Sequence, residues 1–183
     1  MTESQPLVSF ALLAYNQERY IAEAVTSALS QDYSPLEVIL SDDCSTDETF
    51  EIMSSLAKDY EGPHKVVINR NQRNLGIGSH VNSIFALSRG KLVVMAAGDD
   101  ISCQTRTSSL VSAWTDDGFR ADCVFSDCYE IDESGRVMGI RHLGTEARKS
   151  RPEAAKDGAL VLGAVASWSR WLWETWGALD SDV

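Results

Sequence analysis

The chain has 183 residues, of which 44% are hydrophobic, enough for one domain with a sizeable apolar core. Its 16 basic and 27 acidic residues give a net charge of −11, which excludes proteins that bind nucleic acid through clustered lysine and arginine. No apolar run approaches the roughly 20 residues of a membrane-spanning helix, and residues 1–6 lack a secretory segment, so the expected location is the cytoplasm.

Short apolar runs alternate along the chain with segments whose apolar residues recur at helical spacing. Strands are predicted where short apolar runs end in polar residues, at 7–13, 36–40, 65–68, 92–95 and 121–125. Helices are predicted where apolar residues recur at helical spacing, at 21–29, 50–57, 75–87 and 105–114. Two further strands, 129–132 and 137–140, are predicted to form a hairpin that turns at 133–136.

This alternation implies right-handed βαβ units and therefore an α/β, Rossmann-like three-layer sandwich: a mainly parallel central sheet, with a small antiparallel hairpin added. Ser45 or Thr46 is predicted to cap the second helix, and Gly90 to close the third. Residues 141–156, which are basic and weakly periodic, are interpreted as a mobile loop. The apolar segment 160–177, rich in tryptophan, is interpreted as core or as an interface that a second copy could cover in a homodimer.

The four cysteines, Cys44, Cys103, Cys123 and Cys128, show no C-x-x-C spacing. Cys123 and Cys128 have no matching second pair, which argues against a zinc site. Free thiols in a reducing compartment are the expected state.

Three short segments follow predicted strands: Ala14-Tyr15-Asn16, Asp42-Asp43 and Asp99-Asp100. Because ligands bind beyond the carboxyl ends of parallel strands, these segments are predicted to converge in one crevice. Adjacent carboxylates repel each other, and such a pair suits a hard cation such as Mg²⁺ or Mn²⁺. Each segment also has a plainer interpretation: a buried aromatic with a capping amide, a solvated turn, or a helix cap at Asp100 or Ser102. The presence of two acidic pairs on one predicted edge favours a ligand site.

Four segments resemble, in order and spacing, family 2 glycosyltransferases with the GT-A fold. Residues 42–47, Asp-Asp-Cys-Ser-Thr-Asp, resemble the family's Asp-Asp-Gly-Ser-x-Asp motif, and 10–16 resemble its first strand with a Tyr-Asn ending. Residues 74–78 resemble the Asn-x-Gly segment before the third helix, and 97–100 resemble the Asp-x-Asp-type metal motif. The resemblance implies an inverting, metal-dependent enzyme. Such an enzyme would transfer a sugar from a UDP- or dTDP-type donor to a hydroxyl acceptor, in polysaccharide or glycoconjugate synthesis.

The resemblance also implies roles for individual residues. Nucleotide-sugar binding is assigned to Ala14, Tyr15, Asn16, Asp42, Asp43, Asn74, Gly76 and Asp99. Within this set, Asp42 would accept a hydrogen bond from the nucleobase edge, and Asp99 would face ribose or sugar hydroxyls. Asp100 would be the catalytic residue that ligates Mg²⁺ or Mn²⁺ bridging the two phosphates, and Trp168 would line the acceptor pocket.

Two positions depart from the family pattern. Cys44 replaces the usual glycine, so the turn there is predicted to use a non-glycine conformation. Ala97 replaces the first acid of the usual metal triplet, which leaves Asp99 and Asp100.

The family's general base is a Glu-Asp pair that follows a segment similar to residues 174–180, and this chain stops at 181–183, just before it. Asp182 is a conceivable stand-in that lies a few residues early. Residues 1–183 are therefore expected to be one nucleotide-sugar-binding domain truncated at its C-terminal end. The full-length protein would use a glycan, lipid-linked or other hydroxyl acceptor, with peripheral association at the inner face of the membrane left open.

Three other functional classes fit less well. A phospho-receiver module needs acids after its first strand, where this chain has residues 14–16. A dinucleotide-binding oxidoreductase needs a third glycine after Gly76 and Gly78, where Val81 stands. A non-catalytic nucleotide-sugar-binding module stays open, because the chain lacks the family's base.

Overall fold

The computed structural model describes residues 5–142 and 163–179, apart from the side chain of Trp176. The strands are β1 Val8–Ala14, β2 Leu36–Asp42, β3 Lys65–Arg70, β4 Leu92–Ala97, β5 Cys123–Phe125, β6 Cys128–Ile131, β7 Val137–Arg141 and β8 Ala166–Ser169. The helices are α1 Ile21–Leu29, α2 Thr49–Lys58, α3 Ile77–Leu87, α4 Arg106–Asp116 and α5 Arg170–Trp176, with a 3₁₀ turn at Gly163–Val165. Among the described residues, no helix has the length and apolar character needed to cross a membrane.

The main sheet has six strands in the order β3-β2-β1-β4-β8-β5. Strands β3, β2, β1 and β4 pair in parallel, whereas β8 is antiparallel to both of its neighbours. Strands β6 and β7 form a separate antiparallel pair. The predicted α/β architecture, a mainly parallel sheet with a small hairpin, is confirmed.

The apolar side chains of the strands are divided between two cores, one on each face of the sheet. Alternate residues of β1 point to opposite faces, so Phe10 and Leu12 pack in one core and Ala11 and Leu13 in the other. Helices α1, α2 and α4 cover the first face, and α3 covers the second. Every residue of β1 is buried, as expected for a central strand that is covered on both sides.

Strand β8 was not predicted from the sequence. It has only four residues, and two of them, Ser167 and Ser169, are serines that are buried. The hydroxyl of Ser167 donates a hydrogen bond to the carbonyl of Val124, 2.6 Å away, which satisfies this buried polar group. A short strand with polar buried positions gives no apolar alternation in the sequence, so the pattern indicates only an apolar, tryptophan-rich region.

Both predicted helix caps are wrong. Helix α2 has Glu48 at its N-cap with no capping side chain, because the hydroxyl of Ser45 bonds Asp42 and that of Thr46 lies near Asn16. Helix α3 ends at Leu87 with Ser88 as its C-cap, two residues before Gly90. Gly90 is needed for another reason: a Cβ there would lie 2.3 Å from the backbone nitrogen of Ser9 in β1.

Candidate functional site

The carboxyl ends of β1, β2 and β4 meet at one edge of the sheet. Ala14 pairs with Asp42, and Leu13 pairs with Ala97. Backbone hydrogen bonds continue this register: the amide of Asp43 donates to Ala14, and the amide of Gly98 donates to Leu13, at 2.9 and 2.8 Å. The three polar segments that follow these strands therefore begin side by side, as the sequence predicts.

A pocket of about 400 Å³ opens at this edge. Its lining residues are Leu13, Ala14, Tyr15, Gln17, Asp43, Asn74, Gly76, Ile77, His80, Val81, Met95, Ala96, Ala97, Ala164 and Trp168. The pocket brings together six of the residues assigned from the sequence: Ala14, Tyr15, Asp43, Asn74, Gly76 and Trp168. Four others stand outside its lining: Asn16, Asp42, Asp99 and Asp100.

Asp43 fixes one wall of this pocket. Its side chain is only 3% exposed, and one carboxylate oxygen accepts hydrogen bonds from the side-chain amide of Asn71 and the backbone amide of Leu75, at 2.7 and 3.0 Å. The other oxygen accepts from the backbone amide of Gly76 at 3.0 Å. Gly76 has φ +77°, a left-handed conformation that suits glycine. The carboxylate therefore anchors the loop that carries Asn74 and Gly76 to the pocket.

Asp42 holds the neighbouring turn together. It is fully buried and accepts hydrogen bonds from both the backbone amide and the hydroxyl of Ser45. The guanidinium of Arg70 lies 3.5 Å from the same carboxylate and also donates to the carbonyl of Ser45 at 2.9 Å. These contacts compensate the buried charge of Asp42 and shape the turn at residues 43–47.

The loops after β1 and β2 interlock through Asn16. Its side-chain oxygen accepts from the backbone amide of Thr46 at 2.8 Å, and its own backbone amide donates to the hydroxyl of Ser45 at 2.9 Å. Asn16 has φ +53°, which asparagine adopts more readily than most residues. Asn16 thus braces the wall of the pocket from outside its lining.

Cys44 also adopts a left-handed conformation, with φ +64°. The prediction of a non-glycine conformation is therefore wrong. The hydrogen bonds that Asp42 and Asp43 make on either side of Cys44 determine the path of the turn, so the cysteine takes the backbone angles that a glycine would have. A side chain with a Cβ pays a steric penalty of about 1–2 kcal/mol in this region.

Replacing Cys44 by glycine is expected to raise the free energy of unfolding by about 0.5–1 kcal/mol. The relief of the left-handed strain outweighs the larger chain entropy that glycine gives the unfolded state. Urea unfolding measures this change. The matched control is Cys103→Gly at an exposed cysteine outside the left-handed region, where a loss of about 0.5–1 kcal/mol is expected. Equal losses in the two variants would contradict the interpretation.

The second acidic pair lies just past the end of β4. Asp99 and Asp100 are both exposed, and the amide of Asp100 donates to the carbonyl of Ala97 at 3.2 Å. Loss of solvent and the neighbouring charge of Asp99 raise the pKa of Asp100, and the charge of Arg106 partly opposes this rise. A raised pKa means that the ionised carboxylate is short of favourable partners, so a bound cation would stabilise it.

The donor set fits a hard divalent ion that is shared with a ligand. In the described residues, no three His, Cys, Asp or Glu side chains come together as ligands, and Asp99 and Asp100 are the paired carboxylates that those residues offer just past β4. Mg²⁺ and Mn²⁺ prefer oxygen ligands, and Mg²⁺ is commonly held by one or two carboxylates together with phosphate oxygens and water.

Sequence reasoning missed Arg106, a residue of α4 that connects the end of β4 to the 3₁₀ turn before β8. Its guanidinium donates to the carbonyls of Met95 and Ala164 at 2.7 and 2.9 Å and to the hydroxyl of Ser102 at 3.1 Å. Burial lowers the pKa of Arg106 to about 10, which leaves it charged at neutral pH. An arginine at the start of an amphipathic helix gives no sign of this role, because two of its three partners, the carbonyls of Met95 and Ala164, lie outside its own helix and turn.

His80 is a second residue of this edge that sequence reasoning misses. It is 3% exposed, lines the pocket from α3, and its Nε2 lies 2.7 Å from the hydroxyl of Ser41 in β2. Burial lowers the pKa of His80, although the nearby Asp43 and Asp42 oppose this effect. The imidazole is therefore neutral at pH 7.

Two tryptophans of the C-terminal segment stack on a phenylalanine of α3. The rings of Trp168 and Trp173 stack on Phe85, with centroids 6.2 and 4.6 Å away, and Trp171 is 55% exposed. Trp168 is the member of this group that reaches the pocket. Asp182, the candidate base, lies outside the described residues, as does nearly all of the predicted loop at 141–156.

Comparison with known proteins places this arrangement in a family. The sequence profile described as Glycosyl transferase family 2 matches residues 9–169. The chain is 34% identical over 137 residues to chondroitin synthase from Escherichia coli, a match that covers 73% of this chain and 19% of that protein.

Two solved structures share the fold. The mannosyltransferase PcManGT from Pyrobaculum calidifontis, in complex with GDP-Man and Mn²⁺, superposes with a TM-score of 0.72 at 19% identity, over 99% of this chain and 49% of that one. S. aureus TarS 1-349 in complex with UDP-GlcNAc gives a TM-score of 0.65 at 22% identity, over 91% and 46%. The chain thus spans about half the length of these two structures, 49% of PcManGT and 46% of TarS 1-349. It spans 19% of the length of chondroitin synthase. With the profile matching most of its length, this chain belongs to glycosyl transferase family 2.

Proposed function

We propose that this chain binds a nucleoside diphosphate sugar and transfers the sugar, with inversion, to a hydroxyl acceptor. The observation that carries the proposal is the meeting of the pocket and the acidic pair of residues 99–100 at one edge of the sheet. A nucleoside would lie in the pocket, and its diphosphate would lie beside the acids. Family membership supports the same activity.

At the nucleoside end, the resemblance gives the ring N–H of the base to Asp42, but Asp42 is fully buried and stands outside the pocket lining, so its neighbour Asp43 would make this contact. Asp43 lines the pocket and uses three of its lone pairs within the protein, which leaves capacity for one more donor. Tyr15, Asn16 and the loop of Asn74 and Gly76 would enclose base and ribose, and Ala14 would form the floor between them. A uridine or thymidine diphosphate donor is the expected type.

At the phosphate end, Asp99 would face ribose or sugar hydroxyls, and Asp100 would hold Mg²⁺ or Mn²⁺ together with phosphate oxygens. An ion held there would supply positive charge to offset the diphosphate and the negative charge that develops on it in the transition state. This compensation matters because a protein with a net charge of −11 otherwise repels a diphosphate. PcManGT, a structural neighbour, was solved with GDP-Man and Mn²⁺.

The acceptor side of the reaction is the less defined half of the proposal. Trp168 lines the same pocket as the proposed nucleoside site, and the wall that it forms there would also face the acceptor, with its indole ring stacked on Phe85. An acceptor hydroxyl needs a base as it attacks, and Asp182 is the candidate within this sequence. We further propose one nucleotide-sugar-binding domain in residues 1–183 of a cytoplasmic protein. Its acceptor would be a glycan or a lipid-linked molecule at the inner face of the membrane. The protein would form a homodimer.

A thermal-shift panel tests donor binding. UDP, dTDP and GDP are each added with Mn²⁺ or with a chelator, and the unfolding temperature is recorded. At one hundred times Kd a ligand adds about 2.7 kcal/mol, which corresponds to a rise of about 5–10 °C for a domain of this size. The rise should require the metal. Equal shifts in chelator would contradict the metal-dependent site, and no shift with any of the three would contradict the proposal itself.

A further inference from the structure

A chain of hydrogen bonds links Asp43 to His80 through three buried or half-buried side chains. The side-chain amide nitrogen of Asn71 donates to Asp43 at 2.7 Å, and that of Asn69 donates to the oxygen of Asn71 at 3.2 Å. Asn69 also donates to the hydroxyl of Ser41 at 2.9 Å, and Ser41 contacts Nε2 of His80 at 2.7 Å. The carboxylate can only accept, so it sets the orientation of each amide in turn.

This chain determines which nitrogen of His80 carries the proton. The hydroxyl of Ser41 accepts from Asn69, and its own hydrogen needs an acceptor because Ser41 is fully buried. Nε2 of His80 is the acceptor within reach among the described residues. Nε2 is therefore unprotonated, and in the neutral imidazole the hydrogen lies on Nδ1.

The Nδ1 of His80 has no hydrogen-bond partner in the described part of the chain, and His80 is a lining residue of the pocket. The one side-chain polar atom that is buried without a partner in the described part of the chain is the hydroxyl of Ser54. The Nδ1 of His80 makes no hydrogen bond among those residues, so it retains access to solvent, and the ring lines the pocket. The pocket thus presents a fixed donor, His80, beside a fixed acceptor, Asp43.

We infer that His80 and Asp43 together read the edge of the nucleobase, with the Nδ1–H of His80 donating to a base carbonyl while Asp43 accepts from the adjacent ring N–H. This inference rests on the proposed function, because it assigns the nucleoside of the donor to this pocket. A ring N–H next to a carbonyl occurs in uracil, thymine and guanine. Adenine has no carbonyl, and cytosine has an unprotonated ring nitrogen beside its carbonyl, which would face the Asp43 carboxylate unfavourably. His80 is therefore a specificity residue for the donor.

Two substitutions separate base reading from structural support. The amide of asparagine places its N–H near the Nδ1 position, whereas glutamine reaches the Nε2 position, where its oxygen can accept from Ser41. His80→Gln is expected to keep most of the stability and to weaken UDP binding by about 5- to 30-fold, the effect of losing one buried hydrogen bond. His80→Asn is expected to lose more stability and to keep UDP affinity within about threefold. If His80 had a purely structural role, the variant that loses more stability would also lose more affinity for UDP.

The experiment measures Kd by calorimetry for UDP, dTDP, GDP, CDP and ADP with Mn²⁺, for the wild type and both variants, with urea unfolding in parallel. ADP is the control ligand, since its base offers no carbonyl, and its affinity should not change. The tightest of UDP, dTDP and GDP identifies the base. Long-range ¹H–¹⁵N spectra of the imidazoles give a second readout, with the Nδ1–H tautomer expected for His80 in the wild type.

Three results would overturn the inference while leaving the proposed function intact: UDP affinity unchanged in His80→Gln, equal losses for UDP and ADP, or the Nε2–H tautomer. If the wild type binds no nucleoside diphosphate, the proposed function fails and the inference fails with it. If a variant does not fold, the tautomer measured on the wild type and its preference for UDP over ADP still decide the matter.

Discussion

Replacing Asp100 by asparagine is expected to abolish the metal-dependent part of nucleotide binding. The amide has no negative charge and is a poor ligand for Mg²⁺ or Mn²⁺, so the affinity for UDP with Mn²⁺ should fall by about 100-fold or more. The affinity measured in chelator should not change. Calorimetry in Mn²⁺ and in chelator gives both values, and sugar transfer or donor hydrolysis should fall with the first.

The same substitution should leave the metal-free protein as stable as the wild type or more stable. The pKa of Asp100 is raised above 3.8 by loss of solvent and by Asp99, so the folded state binds this proton more tightly than the unfolded chain does. The stability contributed by that proton is present below pH 3.8 and is lost as the pH rises through the folded pKa. At neutral pH the charge therefore opposes folding, and an uncharged amide removes this cost.

The control for charge alone is Glu61→Gln, in the turn between α2 and β3, at the far end of β3 from the site. This variant removes the same unit of charge from an exposed position and should change neither measurement. A lower unfolding temperature for metal-free Asp100→Asn would contradict the statement that the ionised Asp100 carboxylate opposes folding at neutral pH. If UDP binding by Asp100→Asn still depends on the metal, Asp100 is not a ligand of that metal.

The parallel half of the sheet was predictable because its strands follow simple rules. Strand β1 is buried on both faces and reads as an almost continuous apolar run, and polar residues mark its end at Tyr15. The rule that ligand sites lie beyond the carboxyl ends of parallel strands then placed Asp43 and Asp99 at one edge. Both features depend only on residues that are close in sequence.

The parts that were missed depend on contacts between distant residues. Strand β8 exists because β4 and β5 both offer it an edge, and its own four residues carry no pattern. The conformation of Cys44 is set by the partners of its neighbours. Arg106 binds two carbonyls that lie 11 and 58 positions away in the sequence, and His80 contacts a hydroxyl 39 positions away. Periodicity cannot report such partners, since it describes faces and not contacts.

Replacing Asp43 by asparagine is expected to lower the free energy of unfolding by about 2–4 kcal/mol. The two carboxylate oxygens accept from three donors, two on one oxygen and one on the other. Asparagine must turn its NH₂ group toward at least one of these donors, which loses a charge-assisted bond and sets two donors against each other in a buried site. Urea unfolding measures the loss.

The matched control for Asp43 is Asp47→Asn in the same turn. Asp47 also accepts from two backbone amides, those of Glu18 and Thr49 at 3.1 and 3.0 Å, but it is half-buried, so water can replace a lost bond. Its loss should be about 1 kcal/mol. If the two variants lose the same stability, burial is not the source of the effect.

The loss of Asp43 should also be visible locally and in binding, because the carboxylate joins two functions in one group. The amides of Leu75 and Gly76 are bonded to it, so their hydrogen exchange should accelerate in Asp43→Asn more than that of amides in β1. Nucleotide affinity should fall at least tenfold, since the same substitution loosens the loop of Asn74 and removes the acceptor for the base. Faster exchange without weaker binding would mean that Asp43 supports the wall of the pocket and takes no part in recognising the donor.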